Sequence, residues 1–306
     1  MDRTAIEYLN YLENSDPFFF NNFNDFIVYA SALNKNLGDE DYSLLKEGKD
    51  SNYIVSLKDK RTTINIIKNF FYKISPNIIK QIDIDNSLGN IHFVSRDSIN
   101  SDSKISLDGN NYIIEIADSS KIDESYYLVR EYAHLFASSL LDAEAGDRGL
   151  KKVYIEMIIS LTEFALAKHL STNNALVKDS NNYIFKKLFD SIFKMNDSYL
   201  TLMYLGYLLE NKSHDEIVRI IGSEEKVEEL DNNIRSKKPC NDYIITLGTM
   251  LALKLANNTD NLFDLVNMCY IKAASKDFNY FTTNMPIVLD DGETVRELSS
   301  YIEKNK

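Results

Sequence analysis

Residues able to do chemistry are few in this chain, and they cluster. The stretch Tyr126-Tyr-Leu-Val-Arg-Glu-Tyr-Ala-His-Leu-Phe136 carries Arg130, Glu131 and His134 at the spacing of a His-Glu-x-x-His motif, with arginine in the first position. In the intact motif two histidines project from one helical face and hold zinc, while the glutamate activates the metal-bound water. An arginine stays protonated in proteins and has no lone pair to give a metal. Downstream, Glu156 lies 22 residues after His134 and Glu163 lies 29 after it. Both sit in VYIEMIISLTEFALAKHL, which predicts one helix, and their spacing of seven returns to the same face after two turns. Ser160 falls between them on that face. Carboxylates on so apolar a helix need a cationic partner if they are buried. Arg130 is the expected one: its guanidinium can stand in for a metal's charge and form a bidentate pair with Glu156 or Glu163.

These side chains must be positioned by a strand, a loop and two helices. Ile91-His92-Phe93-Val94 and residues 111–117 are rich in β-branched and aromatic types and predict strands. Between them SRDSINSDSKISLDGNN, full of turn formers, reads as a loop, and residues 52–57 read as a weaker third strand. Upstream, Ile6, Leu9 and Leu12 recur at helical spacing, residues 18–33 form a second apolar segment, and 61–82 predict a helix interrupted at Pro76. After Asp118 the pattern is helical over about 122–141, 150–171, 181–195, 197–211, 213–222, 224–236, 241–257, 260–275 and 293–304. Pro239 and the pair Asn257-Asn258 mark breaks between these helices. The expected fold class is mainly α with a small β-sheet (α+β). Residues 1–120 would supply N-terminal helices and the sheet, and 121–306 a helical domain carrying both motif helices, the two forming one compact unit.

On these residues the chain resembles the zincin metallopeptidases of the thimet oligopeptidase and oligoendopeptidase F type. The resemblance rests on the helix Leu128-Val129-Arg130-Glu131-Tyr132-Ala133-His134 after a strand, on Tyr-Ile-Glu156 followed by Glu163, and on the late helix beginning Asp242-Tyr243 and containing Gly248. It implies a zincin-like helical core in which the strand at 111–117 borders a cleft and the helices at 122–141 and 150–171 form its floor. It also implies Glu131 as general base, His134 and Glu156 as zinc ligands and Tyr243 as a substrate contact. The chain departs from the family pattern at Arg130, at Ala133 where glycine is usual, and in having no histidine beyond His214. A catalytic zinc needs three protein ligands, and two are evident.

Composition closes off other classes. The 306 residues carry 34 Lys+Arg against 46 Asp+Glu, a net charge of −12, which disfavours nucleic acid as a partner. The N-terminus lacks the basic start and apolar core of a signal peptide, no uncharged apolar run reaches a membrane-spanning length, and two cysteines make no disulfide framework. These features predict a cytoplasmic protein without a membrane partner. Ten glycines include no phosphate-cradling loop, and no nucleophile elbow surrounds Ser138, Ser139 or Ser160. His92 and His169 read as structural. His214 follows Ser213, which with Glu216 predicts a capping box.

The expected function is therefore that of a metallopeptidase-like protein that has lost its first zinc ligand. It would bind a peptide or protein in the cleft, through a strand edge, and need no cofactor. Two alternatives stay open. One is an active zinc-dependent peptidase whose third ligand is non-standard, such as Glu163 or Asp142. The other is a helical scaffold or interaction protein without zincin ancestry.

Overall fold

The computed structural model describes residues 2–15, 17–109, 111–238 and 242–305. Six helices come first: α1 (Arg3–Ser15), α2 (Pro17–Asn21), α3 (Phe23–Asn36), α4 (Asp39–Asp50), α5 (Lys60–Tyr72) and α6 (Pro76–Leu88). Pro76 starts α6 rather than kinking a longer helix, because its missing N–H falls where the first helical turn has no partner anyway. A three-stranded sheet follows, built from β1 (Ile91–Val94), β2 (Ser103–Asp108) and β3 (Asn111–Ala117). The rest is helical: α7 (Asp123–Ala137), α8 (Arg148–Leu170), α9 (Asn174–Leu209), α10 (His214–Ile221), α11 (Glu224–Arg235), α12 (Asp242–Asn257), α13 (Leu262–Ala274), α14 (Phe278–Asn284) and α15 (Asp291–Asn305). The protein is thus mainly α with one small mixed sheet. Among the described residues no helix is long and apolar enough to cross a membrane.

Helix α8 is the axis of the molecule. It is buried over nearly its whole length, which a helix apolar on all sides requires. Asp147 caps its start by accepting from the Gly149 and Leu150 amides. Around it pack α7, α9, α12 and α13. Contact with α12 is the most intimate. A β-carbon on Gly248 would come 2.7 Å from the Val153 carbonyl oxygen and 2.8 Å from the Met157 amide nitrogen, so only glycine lets the two backbones meet there. The N-terminal third is not a separate layer: α4 packs along α9 and α3 along α15.

The sheet order is β1-β3-β2, with β1 parallel and β2 antiparallel to β3. This differs from expectation in two ways. The strand at 111–117 is central instead of bordering the cleft, and about a third of the predicted loop, residues 103–108, is the edge strand β2. Ser, Lys and Asp are poor strand formers, yet Ile105 and Leu107 alternate with polar residues, and the sequence Gly109-Asn110 between the strands has a two-residue hairpin spacing. Gly109 there takes φ +60°, a left-handed conformation that favours glycine.

Other expectations change for local reasons. Residues 52–57 form no strand beyond a single bridge between Ser56 and Lys121. The amides of Ile54 and Val55 instead donate to the buried Asp179 carboxylate at 2.7–2.9 Å. Segments 181–195 and 197–211 are one continuous helix, because α9 is held by α4, α12, α3, α8 and α11 along its length, and packing overrides the weak helix formers at 196–198. Helices α4 and α14 have no counterpart in the predicted set. The capping box at Ser213 and Glu216 is present. The predicted break at Pro239, and Cys240 beside it, lie outside the described residues.

Candidate functional site

Helices α7 and α9 face each other across a cleft of about 370 Å³. Tyr127, Arg130 and Glu131 of α7 line one side, and Tyr183, Lys186, Lys187, Asp190, Ser191 and Lys194 of α9 the other. Both sets recur at helical spacing, so each is a stripe on one face. Residues Ser101, Asp102 and Ser103, at the start of β2, close a third side. The strand is fastened to α7 there: the Ser103 hydroxyl donates to the buried Glu131 carboxylate at 2.5 Å.

Beneath the cleft lies an ion cluster. Lys187 Nζ is 3.2 Å from Glu156 Oε1 and 2.6 Å from Glu163 Oε2, and these three side chains are at most 9% exposed. Tyr183 donates its hydroxyl to Glu163 Oε1 at 2.9 Å, and Ser160 reaches Glu156 at 3.4 Å. Arg130 Nη2 approaches Glu156 Oε2 at 3.7 Å, with the arginine side chain 38% exposed. Two cations thus balance two carboxylates. Burial alone would raise the Glu156 pKa, but Lys187 and Arg130 outweigh it and hold the carboxyl below its ordinary range. Glu156 in turn holds the Arg130 guanidinium firmly charged.

Of the residues singled out from sequence, Arg130, Glu156 and Glu163 therefore lie around one cluster. Their pairing differs from the bidentate contact expected. Arg130 makes one long approach to Glu156, and Lys187 is the nearer cation to both glutamates. Lys187 sits in Tyr183-Ile-Phe-Lys-Lys187-Leu, an apolar run in which a lysine opposite two buried acids is the only available signal.

The other named residues stand apart. His134, one turn beyond Arg130, is exposed and does not line the cleft. Tyr243 is buried in an aromatic group, its ring 4.5 Å from Phe19 and 5.3 Å from Phe26, and does not face the cleft. Asp142 is exposed and pairs with Lys276 at 3.6 Å. A zinc ion does not fit these groups: position 130 offers no lone pair, both Glu156 oxygens already face cations, and His134 is turned to solvent. Among the described residues no group of three or more His, Cys, Asp or Glu is gathered so as to hold a metal.

Along its outer edge β2 is open. The Ala117 amide donates to the Asp102 carbonyl at 3.0 Å, which fixes the alternation of the antiparallel ladder. Lys104, Ser106 and Asp108 then bond to β3, while Ser103, Ile105 and Leu107 turn their backbone groups away from it. Among the described residues the backbone groups of Ile105 and Leu107 have no partner on that side. No protein-family model, curated protein or solved structure matches this chain.

Proposed function

We propose that this protein binds an extended peptide segment of a partner along β2, with one end of the segment in the cleft between α7 and α9, and that it does so without metal-dependent peptide cleavage. The observation that carries this is the unpaired edge of β2 running directly into the cleft at Ser101–Ser103. An open strand edge offers a ready ladder of donors and acceptors, and its short length here limits uncontrolled pairing between copies. The Glu131–Ser103 contact anchors that edge to a helix instead of leaving it on a mobile loop. Against catalysis stands the chemistry of the cluster: its carboxylates are held by a lysine and an arginine, so neither is a metal ligand nor a free base.

The test is retention of a mixed-sequence library of short synthetic peptides on immobilised protein, with Leu107→Pro as the control. Leu107 is exposed, and proline is tolerated where a strand N–H points outward, so the variant should fold. Wild type should retain peptides intact, and the variant should retain at least about tenfold less, having lost a ladder hydrogen bond and its neighbouring geometry. Equal retention by both proteins would remove β2 from the account.

A further inference from the structure

Charge in the cleft is unlike charge in the rest of the chain. The protein as a whole is at −12, yet the cleft is lined by Arg130, Lys186, Lys187 and Lys194 against Asp102, Glu131 and Asp190. The acids are largely spoken for. Asp102 pairs with Arg96 at 2.5 Å and Asp190 with Lys49 at 3.5 Å, whereas among the described residues Glu131 accepts only from the neutral Ser103 hydroxyl and acts on Arg130 from a distance. Lys187 is consumed by the two buried glutamates. Among the described residues Arg130, Lys186 and Lys194 keep N–H donors free on the cleft, although Arg130 already shares in balancing the two buried glutamates. Lys186 and Lys194 make no ion pair among the described residues, and Arg130 has only Glu156, at a distance too long for a good hydrogen bond. A guanidinium carries five N–H donors in a planar fork, and those of Arg130 donate to no protein acceptor among the described residues while opening on the cleft. Such a fork is shaped for an oxyanion.

Strand direction decides which oxyanion. From Ser103 to Asp108, β2 runs away from the cleft. A peptide added antiparallel to β2 therefore ends, at its C-terminus, beside Ser103 and Arg130. A parallel peptide would bring its N-terminal ammonium there, against three cations. Resting on the peptide-binding reading above, we infer that the cleft captures the free C-terminal carboxylate of a peptide lying antiparallel to β2, with Arg130 as the principal donor and Lys186 and Lys194 adding long-range attraction.

The test compares the same mixed-sequence peptide library made with free C-terminal carboxylates and with C-terminal amides. The wild-type protein should retain the acids at least about tenfold better than the amides, since charge-assisted hydrogen bonds are the strong ones. That preference should shrink in high salt and disappear in Arg130→Gln, which keeps a polar N–H donor but not the cation. Lys194→Gln, at an exposed position that cannot upset folding, should weaken the preference without removing it. Inorganic phosphate should compete with the acids and leave the amides unaffected. Equal retention of acids and amides would overturn the carboxylate inference and leave peptide binding standing. Preference for acids that survives undiminished in Arg130→Gln would also overturn it. Retention of neither library by wild type would overturn the peptide-binding reading itself.

Discussion

Lys187→Met is expected to destabilise the protein by about 3–5 kcal/mol, because it leaves two buried carboxylates facing each other without their cation. Methionine preserves the length and apolar stem of lysine, so the loss isolates the charge. The neighbouring arginine cannot take over. It is 3.7 Å from Glu156 and more than a third exposed, and a pair of that kind is worth roughly 1 kcal/mol or less. Arg130→Met should accordingly be mild in stability, whatever it does to binding. The contrast separates a structural cation from one kept for a ligand.

A pH signature distinguishes this cause from lost packing. The Glu156 pKa is depressed in the folded state relative to its ordinary 4.5, so its charged form stabilises the fold. That contribution is present above about pH 4.5 and is lost as pH falls through the lower folded value. In Lys187→Met the sign reverses, since the unpaired carboxylates favour protonation. Wild type should lose stability on going from neutral pH toward about pH 3, and the gap between the proteins should narrow over the same range. Urea denaturation midpoints across that range read both curves. A gap that stays constant would assign the loss to packing.

The second large effect is at Gly248. Alanine is the better helix former by about 1 kcal/mol, so in open space the change would stabilise. At Gly248 the new methyl would lie 2.7 Å from both the Glu156 β-carbon and the Val153 carbonyl. Because the atoms it meets include α8 backbone, the helices must separate, at a net cost of about 1–3 kcal/mol for alanine and more for valine. Gly206 in α9 is the internal control: a methyl added there meets nothing within 4 Å, and Gly206→Ala should be neutral or stabilising. Thermal unfolding of the pair gives opposite signs if the close approach is real. Moving α8 also moves Glu156 relative to Lys187, so Gly248→Val should weaken peptide retention as well.

How far the sequence led follows from where its signals are local. Helix α8 and the two glutamates seven residues apart were legible because a 3.6-residue period is written in consecutive residues. That the glutamates needed a cation followed from burial cost alone. Which cation did not, because Lys187 reaches them from α9, and nothing in the spacing of Arg130, Glu156 and Glu163 points to a third helix. His134 shows another limit of spacing read along one helix. Its spacing from Glu131 invites a metal role, but spacing along one helix says nothing of where the neighbouring elements stop, and this turn of α7 lies beyond the cleft. Strand β2 was concealed by its composition. Serine and lysine suit an edge strand that faces water, and the alternation of Ile105 and Leu107 with the turn-forming pair Gly109-Asn110 is what marks it in the sequence.

Placing an extended peptide on β2 is the central claim, and backbone hydrogen exchange with and without bound peptide tests it most directly. The amides of Ile105 and Leu107 point away from β3 and should exchange readily in the free protein. On adding a library peptide retained by the wild-type protein, these two amides should gain protection, while Lys104 and Ser106, already bonded to β3, should change little. Unchanged exchange at Ile105 and Leu107 in the presence of saturating bound peptide would contradict the account.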